Sequence, residues 1–351
     1  MTSDNDSQND FVPLRWLRNP HLMTIAAAFW RRRFPGLPKG TPRNFEVEPG
    51  SRIQGICHWQ PDASVHPVLV LLHGLEGSAD SGYMLGTAEK AYVAGFNVIR
   101  LNQRNCGGTE SLTPTLYHSG LSGDIRAVLL ELIAVDRVQE VFAAGFSMGG
   151  NLVLKMAGEF GGAAPPEIAG FVAVAPAASL AACADALAEP QNLIYEYHFV
   201  ARLKRRMRRK ASLFPNLYPI DGMRNIRSVR AFDDVITARF SGFTNADDYY
   251  ARSSAIRVAA RIRRPTLILT SKDDPFVRSA TFADPAIREN PNITFVATRY
   301  GGHCGFISRD VGASRFWAEG KIVEFCERMS KILPKEKWAP RVAQRPDAQT
   351  K

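Results

Sequence analysis

The residues Gly145-Phe146-Ser147-Met148-Gly149 form a G-x-S-x-G pattern between a strand-like apolar run and a helix-like run. Such a turn raises a serine hydroxyl above the sheet, and glycines flank it because the backbone is crowded there. The first N–H groups of the following helix then point at the negative charge that develops during acyl transfer. The pattern predicts Ser147 as a nucleophile and the N–H of Met148 as an oxyanion donor.

A serine is a poor nucleophile at neutral pH, so it needs a histidine base that a carboxylate orients. His303 follows the last predicted strand within a glycine-rich turn, and Asp273 and Asp274 follow an earlier strand. The order serine, aspartate, histidine, with each residue after a strand, predicts a catalytic triad. In enzymes with a similar order of residues, the orienting carboxylate usually lies three residues after the small residue that ends the strand. Ser271 is that residue here, so the similarity implies Asp274 as the orienting carboxylate. Asp273 remains the alternative.

The glycine-rich loop His73-Gly74-Leu75-Glu76-Gly77-Ser78 directly follows the apolar run Val68–Leu72. An uninterrupted apolar run is typical of a strand buried on both faces, and a loop at its end can supply a second oxyanion donor. We predict the N–H of Leu75 in that role. This chemistry needs no cofactor and no metal, and the five scattered cysteines lack metal-ligand spacing.

Strand-like and helix-like runs alternate through most of the chain, which predicts an α/β fold with a mostly parallel, doubly wound sheet. One helix is predicted near residues 280–289. The alternation lapses over residues 177–262, which contain no convincing buried strand. We interpret that segment as a helical cap inserted between two strands, covering the catalytic edge. Residues 1–10 are predicted to be a disordered tail, and residues 334–351 a polar tail. Residues 11–176 and 263–333 together form the predicted core.

Two basic or amphipathic stretches leave alternatives open. Seven of the nine residues from Arg202 to Lys210 are basic, which fits a solvated helix face or contact with anionic lipid head groups. Nucleic acid is disfavoured because no aromatic stacking platform or recognition motif accompanies the run. Leu22, Ile25 and Phe29 have helical spacing. They predict an amphipathic helix that packs on the outside of the main domain, lies on a membrane surface or acts as a lid.

The overall charge and the terminal residues bear on the compartment. The net charge is +10, which favours attraction to anionic surfaces. The polar, acidic first ten residues do not form a secretory signal, and no run reaches the ~18 apolar residues of a membrane span. An odd number of scattered cysteines fits a reducing compartment. We therefore predict a cytoplasmic protein, with peripheral contact to an anionic membrane as an open alternative.

Six short motifs are distributed between residues 14 and 333: Asn19 to Thr24, His73 to Ser78, Cys106 to Gly108, Gly145 to Asn151, Asp273 to Phe276 and Gly301 to Phe306. In combination they resemble the YheT-like branch of the α/β-hydrolases, which includes mammalian lipid hydrolases and plant relatives. The resemblance implies the α/β-hydrolase fold and hydrolysis of medium-chain esters or phospholipid acyl chains. Two positions depart from the family. Met23 stands where a glutamine is usual, and Asn105 stands where a glycine is usual.

The sequence therefore predicts a serine hydrolase that cleaves carboxylic esters through an acyl-enzyme intermediate. Its substrate would be a small-molecule or lipid ester. The same triad could serve a thioesterase, an amidase or an acyltransferase, since the triad does not encode the leaving group or the acceptor. From another class of function, the fold could serve as a non-catalytic lipid-binding protein.

Overall fold

The computed structural model describes residues 11–220, 222–311 and 315–333. The tails predicted at 1–10 and 334–351 lie outside these ranges. One sheet of eight strands occurs in the described chain, in the order β1-β2-β4-β3-β5-β6-β7-β8. The strands are β1 Thr41–Glu48, β2 Ser51–His58, β3 Val68–Leu72, β4 Asn97–Leu101, β5 Val141–Phe146, β6 Ile168–Val174, β7 Thr266–Ser271 and β8 Ile293–Thr298.

The pairing of the strands confirms the predicted fold class. β1 and β2 form an antiparallel hairpin, and β2 runs antiparallel to β4. Every pair from β4 through β8 is parallel. Parallel strands need crossover connections, and helices supply most of them, so both faces of the sheet are covered. The result is a mostly parallel, doubly wound sheet whose carboxyl ends share one edge.

The central strand β3 shows why the two faces are apolar. All five of its residues are buried. Val70 and Leu72 join the hydrophobic cluster that contains helix α3 (Ser122–Ala134) and helix α4 (Met148–Phe160). Leu69 and Leu71 join the cluster on the other face, because successive side chains of a strand alternate. That second cluster contains helices α2 (Gly82–Val93) and α10 (Trp317–Met329).

Between β6 and β7 the described residues form helices and turns but no strand. The main elements are α5 Leu180–Leu187, α6 Leu193–Leu213, α7 Val229–Phe232, a π-helix Asp233–Ala238 and α8 Ala246–Ser253. The long helix α6 buries Val200, Leu203 and Met207 against the core while basic side chains occupy much of its remaining surface. These elements follow the carboxyl end of β6 and supply walls of the site described below.

The helix predicted near residues 280–289 is wrong as a single element. The structure has a 3₁₀ turn at Ser279–Ala283 and then a separate one-turn helix α9 at Pro285–Arg288. Asp284 accepts a hydrogen bond from the N–H of Ala286 at 2.8 Å and so caps α9. A proline one residue after the cap fixes a new helix start, since it has no N–H to continue the preceding turn.

One further helix, α1 (Pro20–Phe29), precedes the sheet, and Asn19 caps it by accepting from the N–H groups of His21 and Leu22. Within the ranges that the structure describes, no helix is long and apolar enough to cross a membrane.

Candidate active site

Ser147 lies on a strained turn between β5 and α4. Its backbone has φ 54° and ψ −116°, a region that costs a non-glycine residue about 1–3 kcal/mol. Hydrogen bonds fix the turn: the N–H of Ser147 donates to the carbonyl of Val174 at 2.9 Å, and its own carbonyl accepts from the N–H of Asn151 at 3.0 Å. The strand and the helix therefore hold the serine backbone in one orientation.

The glycines around Ser147 are required by close backbone contacts. A Cβ on Gly145 would lie 2.2 Å from the carbonyl oxygen of Gly149, and a Cβ on Gly149 would lie 2.5 Å from that of His73. On the neighbouring loop, a Cβ on Gly74 would lie 3.1 Å from Ser147 Cβ. The loop that follows β3 thus passes directly against the serine.

His303 and Asp274 are joined by a hydrogen bond from the imidazole to a buried carboxylate. The distance between His303 Nδ1 and Asp274 Oδ2 is 2.8 Å. The other oxygen of Asp274 accepts from the N–H groups of Phe276 and Val277 at 3.0 and 2.8 Å. Burial of the ring opposes the imidazolium, but the charge of Asp274 more than compensates and raises the pKa of His303 above its usual value. This arrangement suits a histidine that accepts a proton during a reaction.

The neighbouring Asp273 has a different set of contacts. Its Oδ1 accepts from the N–H of Gly302 at 2.9 Å, while Oδ2 is buried and has no hydrogen-bond partner in the described chain. Burial raises the pKa of this carboxyl group. Asp273 thus holds the glycine turn that precedes His303, whereas Asp274 contacts the imidazole.

Helix α1 holds the other side of the His303 turn, which the sequence did not indicate. The N–H of His303 donates to Thr24 Oγ1 at 2.9 Å, and that hydroxyl donates to the carbonyl of Pro20 at 2.7 Å. Met23 is fully buried, and its sulfur accepts from the N–H of Ile307 at 3.3 Å. The residue that replaces the usual glutamine therefore still offers an acceptor to this loop. The only sequence signal for this role of α1 was that Pro20, Met23 and Thr24 belong to one of the six short motifs.

A buried network orients the loop that carries Leu75. The N–H of Gln103 donates to His73 Nε2 at 3.1 Å, and His73 Nδ1 lies 2.7 Å from the carbonyl of Gly74. Burial lowers the pKa of His73 to about 4, so the ring is neutral at physiological pH and can accept at one nitrogen while donating at the other. Tyr83 adds a third contact, since its hydroxyl accepts from the N–H of Gly74 at 3.0 Å.

The two predicted oxyanion donors lie beside Ser147. Met148 is the first residue of α4, where backbone N–H groups have no partner within the helix. Leu75 directly follows Gly74, the residue whose backbone approaches Ser147. Both residues line a cavity that also contains the serine.

Two cavities meet at Ser147, and both are also lined by Leu75, Phe199 and Phe276. The inner cavity, of about 110 Å³, extends under the helices between β6 and β7. The outer cavity, of about 480 Å³, contains His303 and opens between α1 and the start of α6. The inner walls are largely apolar: Leu116, Leu180, Leu187, Leu203, Met207, Val229 and Phe232. The serine hydroxyl is therefore accessible from two spaces of different size.

Two arginines of the basic run on α6 contact Glu76, in the loop that follows β3. Arg206 Nη2 lies 2.7 Å from Glu76 Oε2, and the hydroxyl of Tyr117 donates to the same carboxylate at 3.0 Å. Arg202 donates to the carbonyl of Glu76 at 2.7 Å. The Arg206 side chain is therefore largely buried and joins the helix to the core, whereas Arg202 makes its contact while half exposed.

Lys210, at the end of the run, is fully buried and explains the second departure from the family. Its ammonium donates to Asn105 Oδ1 at 2.7 Å and to the carbonyl of Glu110 at 2.8 Å. Asn105 has φ 64°, a conformation in which glycine is favoured and asparagine is the best tolerated substitute. The asparagine therefore keeps the backbone of the usual glycine and adds an acceptor for Lys210.

Among the residues that the structure describes, no group of three or more histidine, cysteine, aspartate or glutamate side chains could hold a metal ion. Cys304 lies next to the histidine, with its sulfur 3.8 Å from His303 Nε2. Its thiol is a nucleophilic group beside the site that the sequence analysis did not single out.

Comparison with known proteins places this geometry in a family. A family model described as "alpha/beta hydrolase fold" matches residues 67–310. The protein named "Putative esterase YheT" of Escherichia coli (strain K12) is 32% identical over 324 residues, which cover 91% of this chain and 93% of its own length. The chain belongs to the YheT-like branch of the α/β-hydrolases. The resemblance found in the motifs is thereby confirmed.

More distant relatives agree with this membership. Phospholipase ABHD3 of Mus musculus is 31% identical over 70% of this chain and 60% of its own length. Among solved structures, the esterase Pf2001 of Pyrococcus furiosus covers 83% of this chain and 92% of its own, with a TM-score of 0.54 and 15% sequence identity. At that identity the structure indicates a shared fold only.

Proposed function

We propose that this α/β-hydrolase is a serine hydrolase of carboxylic esters with medium-chain or lipid acyl groups. The observation that carries the proposal is a serine on a strained turn that shares a cavity with a histidine bound at 2.8 Å to a buried aspartate. The names of the relatives, which include an esterase and a phospholipase, support the same class of reaction.

In this proposal Ser147 Oγ attacks the ester carbonyl while His303 Nε2 accepts the hydroxyl proton. Asp274 keeps the proton on Nδ1 and stabilises the imidazolium. The N–H groups of Leu75 and Met148 donate to the oxyanion, where loss of one such donor costs about 10²–10³-fold in rate. The imidazolium then protonates the departing alcohol, which leaves an acyl group on Ser147.

Deacylation repeats these steps with water as the nucleophile. His303 removes a proton from water, the hydroxide attacks the acyl carbonyl, and the returning proton restores the Ser147 hydroxyl as the carboxylic acid departs. We assign the acyl chain to the inner cavity because its walls are largely apolar, and the alcohol to the outer cavity because that space is larger and contains His303, which protonates the departing alcohol. A thioester or amide would follow the same path, so those substrates remain alternatives.

The test is labelling with a fluorophosphonate probe, which reacts with activated serines, followed by hydrolysis of p-nitrophenyl esters of increasing chain length. We expect the wild type to be labelled and Ser147→Ala to lose both labelling and turnover. Ser212→Ala is the matched control, because Ser212 is exposed on α6 away from either cavity. A folded wild type without labelling would contradict the proposal and favour the non-catalytic lipid-binding alternative.

A further inference from the structure

Helix α1 presents its apolar stripe outward. Leu22 is 50% exposed and Phe29 is 77% exposed, and Ile25 between them is also exposed. In a surface helix this spacing ordinarily faces the core. Here the core-facing side of α1 is instead occupied by Met23 and Thr24, which hold the loop of His303. The stripe therefore contributes no buried or partly buried member to the hydrophobic clusters of the described residues.

The first turns of α6 present a second set of exposed apolar side chains. Leu193, Ile194 and Tyr197 are all more than half exposed. The two helices are joined at this point, because the imidazole of His21 lies parallel to the ring of Tyr195 and their polar atoms are 3.1 Å apart. The outer cavity opens between them, and its lining includes Ile25, Phe29 and Ile194. Exposed apolar side chains of both helices thus flank the entrance to the outer cavity.

Arginines predominate on the segments that flank α1, and the two glutamates in the cavity lining, Glu76 and Glu319, are paired with Arg206 and Arg32. From residue 11 to residue 45 the sequence has seven basic residues and no aspartate or glutamate. Four of the arginines are exposed on the segments that flank α1: Arg15, Arg18, Arg31 and Arg33. Apolar side chains bordered by arginines fit the boundary between the acyl chains and the anionic head groups of a bilayer. The apolar side chains insert among the acyl chains, and the arginines pair with phosphate.

We propose that α1 and the first turns of α6 form a docking face for an anionic phospholipid bilayer, with the outer cavity opening onto it. The docking face comprises Leu22, Ile25, Phe29, Leu193, Ile194, Tyr197, Arg31 and Arg33. A lipid could pass from the bilayer through this entrance to Ser147 without crossing water. Docking itself requires no catalysis, so it can be tested separately from the proposed hydrolysis.

The experiment is co-sedimentation of the full chain with vesicles of phosphatidylcholine alone or mixed with phosphatidylglycerol. We expect binding to the anionic vesicles that weakens with salt, and the same binding by Ser147→Ala. Leu22→Ser combined with Tyr197→Ser should weaken binding about tenfold, since both side chains lose insertion. Arg31→Gln combined with Arg33→Gln should weaken it by a similar factor, about tenfold, on anionic vesicles only.

Two matched controls lie on exposed positions that precede strands β5 and β7, at the opposite edge of the sheet: Val135→Ser and Arg261→Gln. They should bind vesicles like the wild type. Leu22 and Tyr197 line neither cavity, so their double variant should hydrolyse a soluble short-chain ester at the wild-type rate. The proposal is overturned by absent vesicle binding, or by equal binding of the docking-face and control variants. A dimer that the Leu22 and Tyr197 changes dissociate, without vesicle binding, would instead assign the face to a second copy.

Discussion

The carboxyl edge of the sheet and the helices between β6 and β7 build the two parts of the site in different ways. At the sheet edge, backbone contacts fix the reacting groups: the carbonyl of Val174 holds Ser147, and two N–H groups hold Asp274. The helices supply walls made of packed side chains such as Leu187 and Met207. Few substitutions would preserve the backbone geometry that holds Ser147 and Asp274, whereas single substitutions can adjust the shape of the inner cavity, because that shape depends on side-chain volume.

The strongest test of the sheet edge compares its two adjacent aspartates. Asp274→Asn should lower kcat/KM about 10⁴-fold, because an amide neither fixes the imidazole tautomer nor stabilises the imidazolium. Asp273→Asn should cost about tenfold or less, since Asp273 contacts the backbone of Gly302 instead of the ring. Steady-state hydrolysis of a p-nitrophenyl ester measures both. A larger loss at Asp273 would reverse the assignment of the two carboxylates, and equal losses would contradict it.

A change in the turn itself should have the next largest effect. Gly149→Ala places a methyl group 2.5 Å from the carbonyl of His73 and should displace the loop that carries Leu75, costing about 10²-fold in kcat. Its melting temperature should also fall. Gly123→Ala in α3 is the control, because the added methyl would meet no side chain or backbone from other parts of the described fold within 4 Å, and helix propensity should stabilise the variant by up to ~1 kcal/mol. Wild-type activity of Gly149→Ala would contradict the account of the turn.

A change in the helical walls should alter selectivity more than chemistry. Ala184 lines the inner cavity from α5, so Ala184→Leu should lower kcat/KM for an octanoyl ester about tenfold relative to a butanoyl ester. Ala182→Leu, on the same helix but outside the lining, should leave this ratio unchanged. Chain-length profiles of the two variants give the ratio. If Ala184→Leu instead changes kcat/KM more between esters that differ in their alcohol than between esters that differ in their acyl chain, the assignment of the two cavities is reversed.

The smallest expected effect is a shift in pH dependence. Only neutral His303 can accept the serine proton, so kcat/KM should rise with pH through the pKa of that imidazole. Asp274 raises this pKa, which places the midpoint above the ordinary histidine value of about 6.5. The residual activity of Asp274→Asn should show a lower midpoint, because the stabilising charge is gone. Profiles of kcat/KM against pH with a soluble ester measure both midpoints. An unchanged midpoint in Asp274→Asn would mean that the group that titrates is not His303 paired with Asp274.

The sheet and the positions of Ser147 and His303 could be predicted because the sequence carries local signals for them. Apolar runs such as Val68–Leu72 mark buried strands, and glycines mark the turns where backbones approach closely. The break at Pro285 was missed because the predicted helix was extended across this proline, which is the first residue of a new helix that Asp284 caps. The cytoplasmic compartment remains a prediction.

The roles of α1 and α6 could not be predicted, because they depend on contacts between residues far apart in the chain. Thr24 and His303 are separated by 279 positions, and Glu76 lies 126 positions before Arg202. A run of basic residues has the same sequence whether its side chains face water or the core. Only the fold shows that Lys210 is buried against Asn105 while several arginines of the same run remain exposed.

The central claim is that Ser147 carries the acyl group, and mass spectrometry of an acid-quenched reaction tests it most directly. The protein would be mixed with p-nitrophenyl octanoate, quenched within the first turnover, digested with pepsin and mapped. We predict an octanoyl group on the peptide that contains Ser147, formed together with a burst of p-nitrophenol. An octanoyl group on Cys304, whose sulfur lies 3.8 Å from His303 Nε2, or hydrolysis without any acylated peptide, would contradict the account.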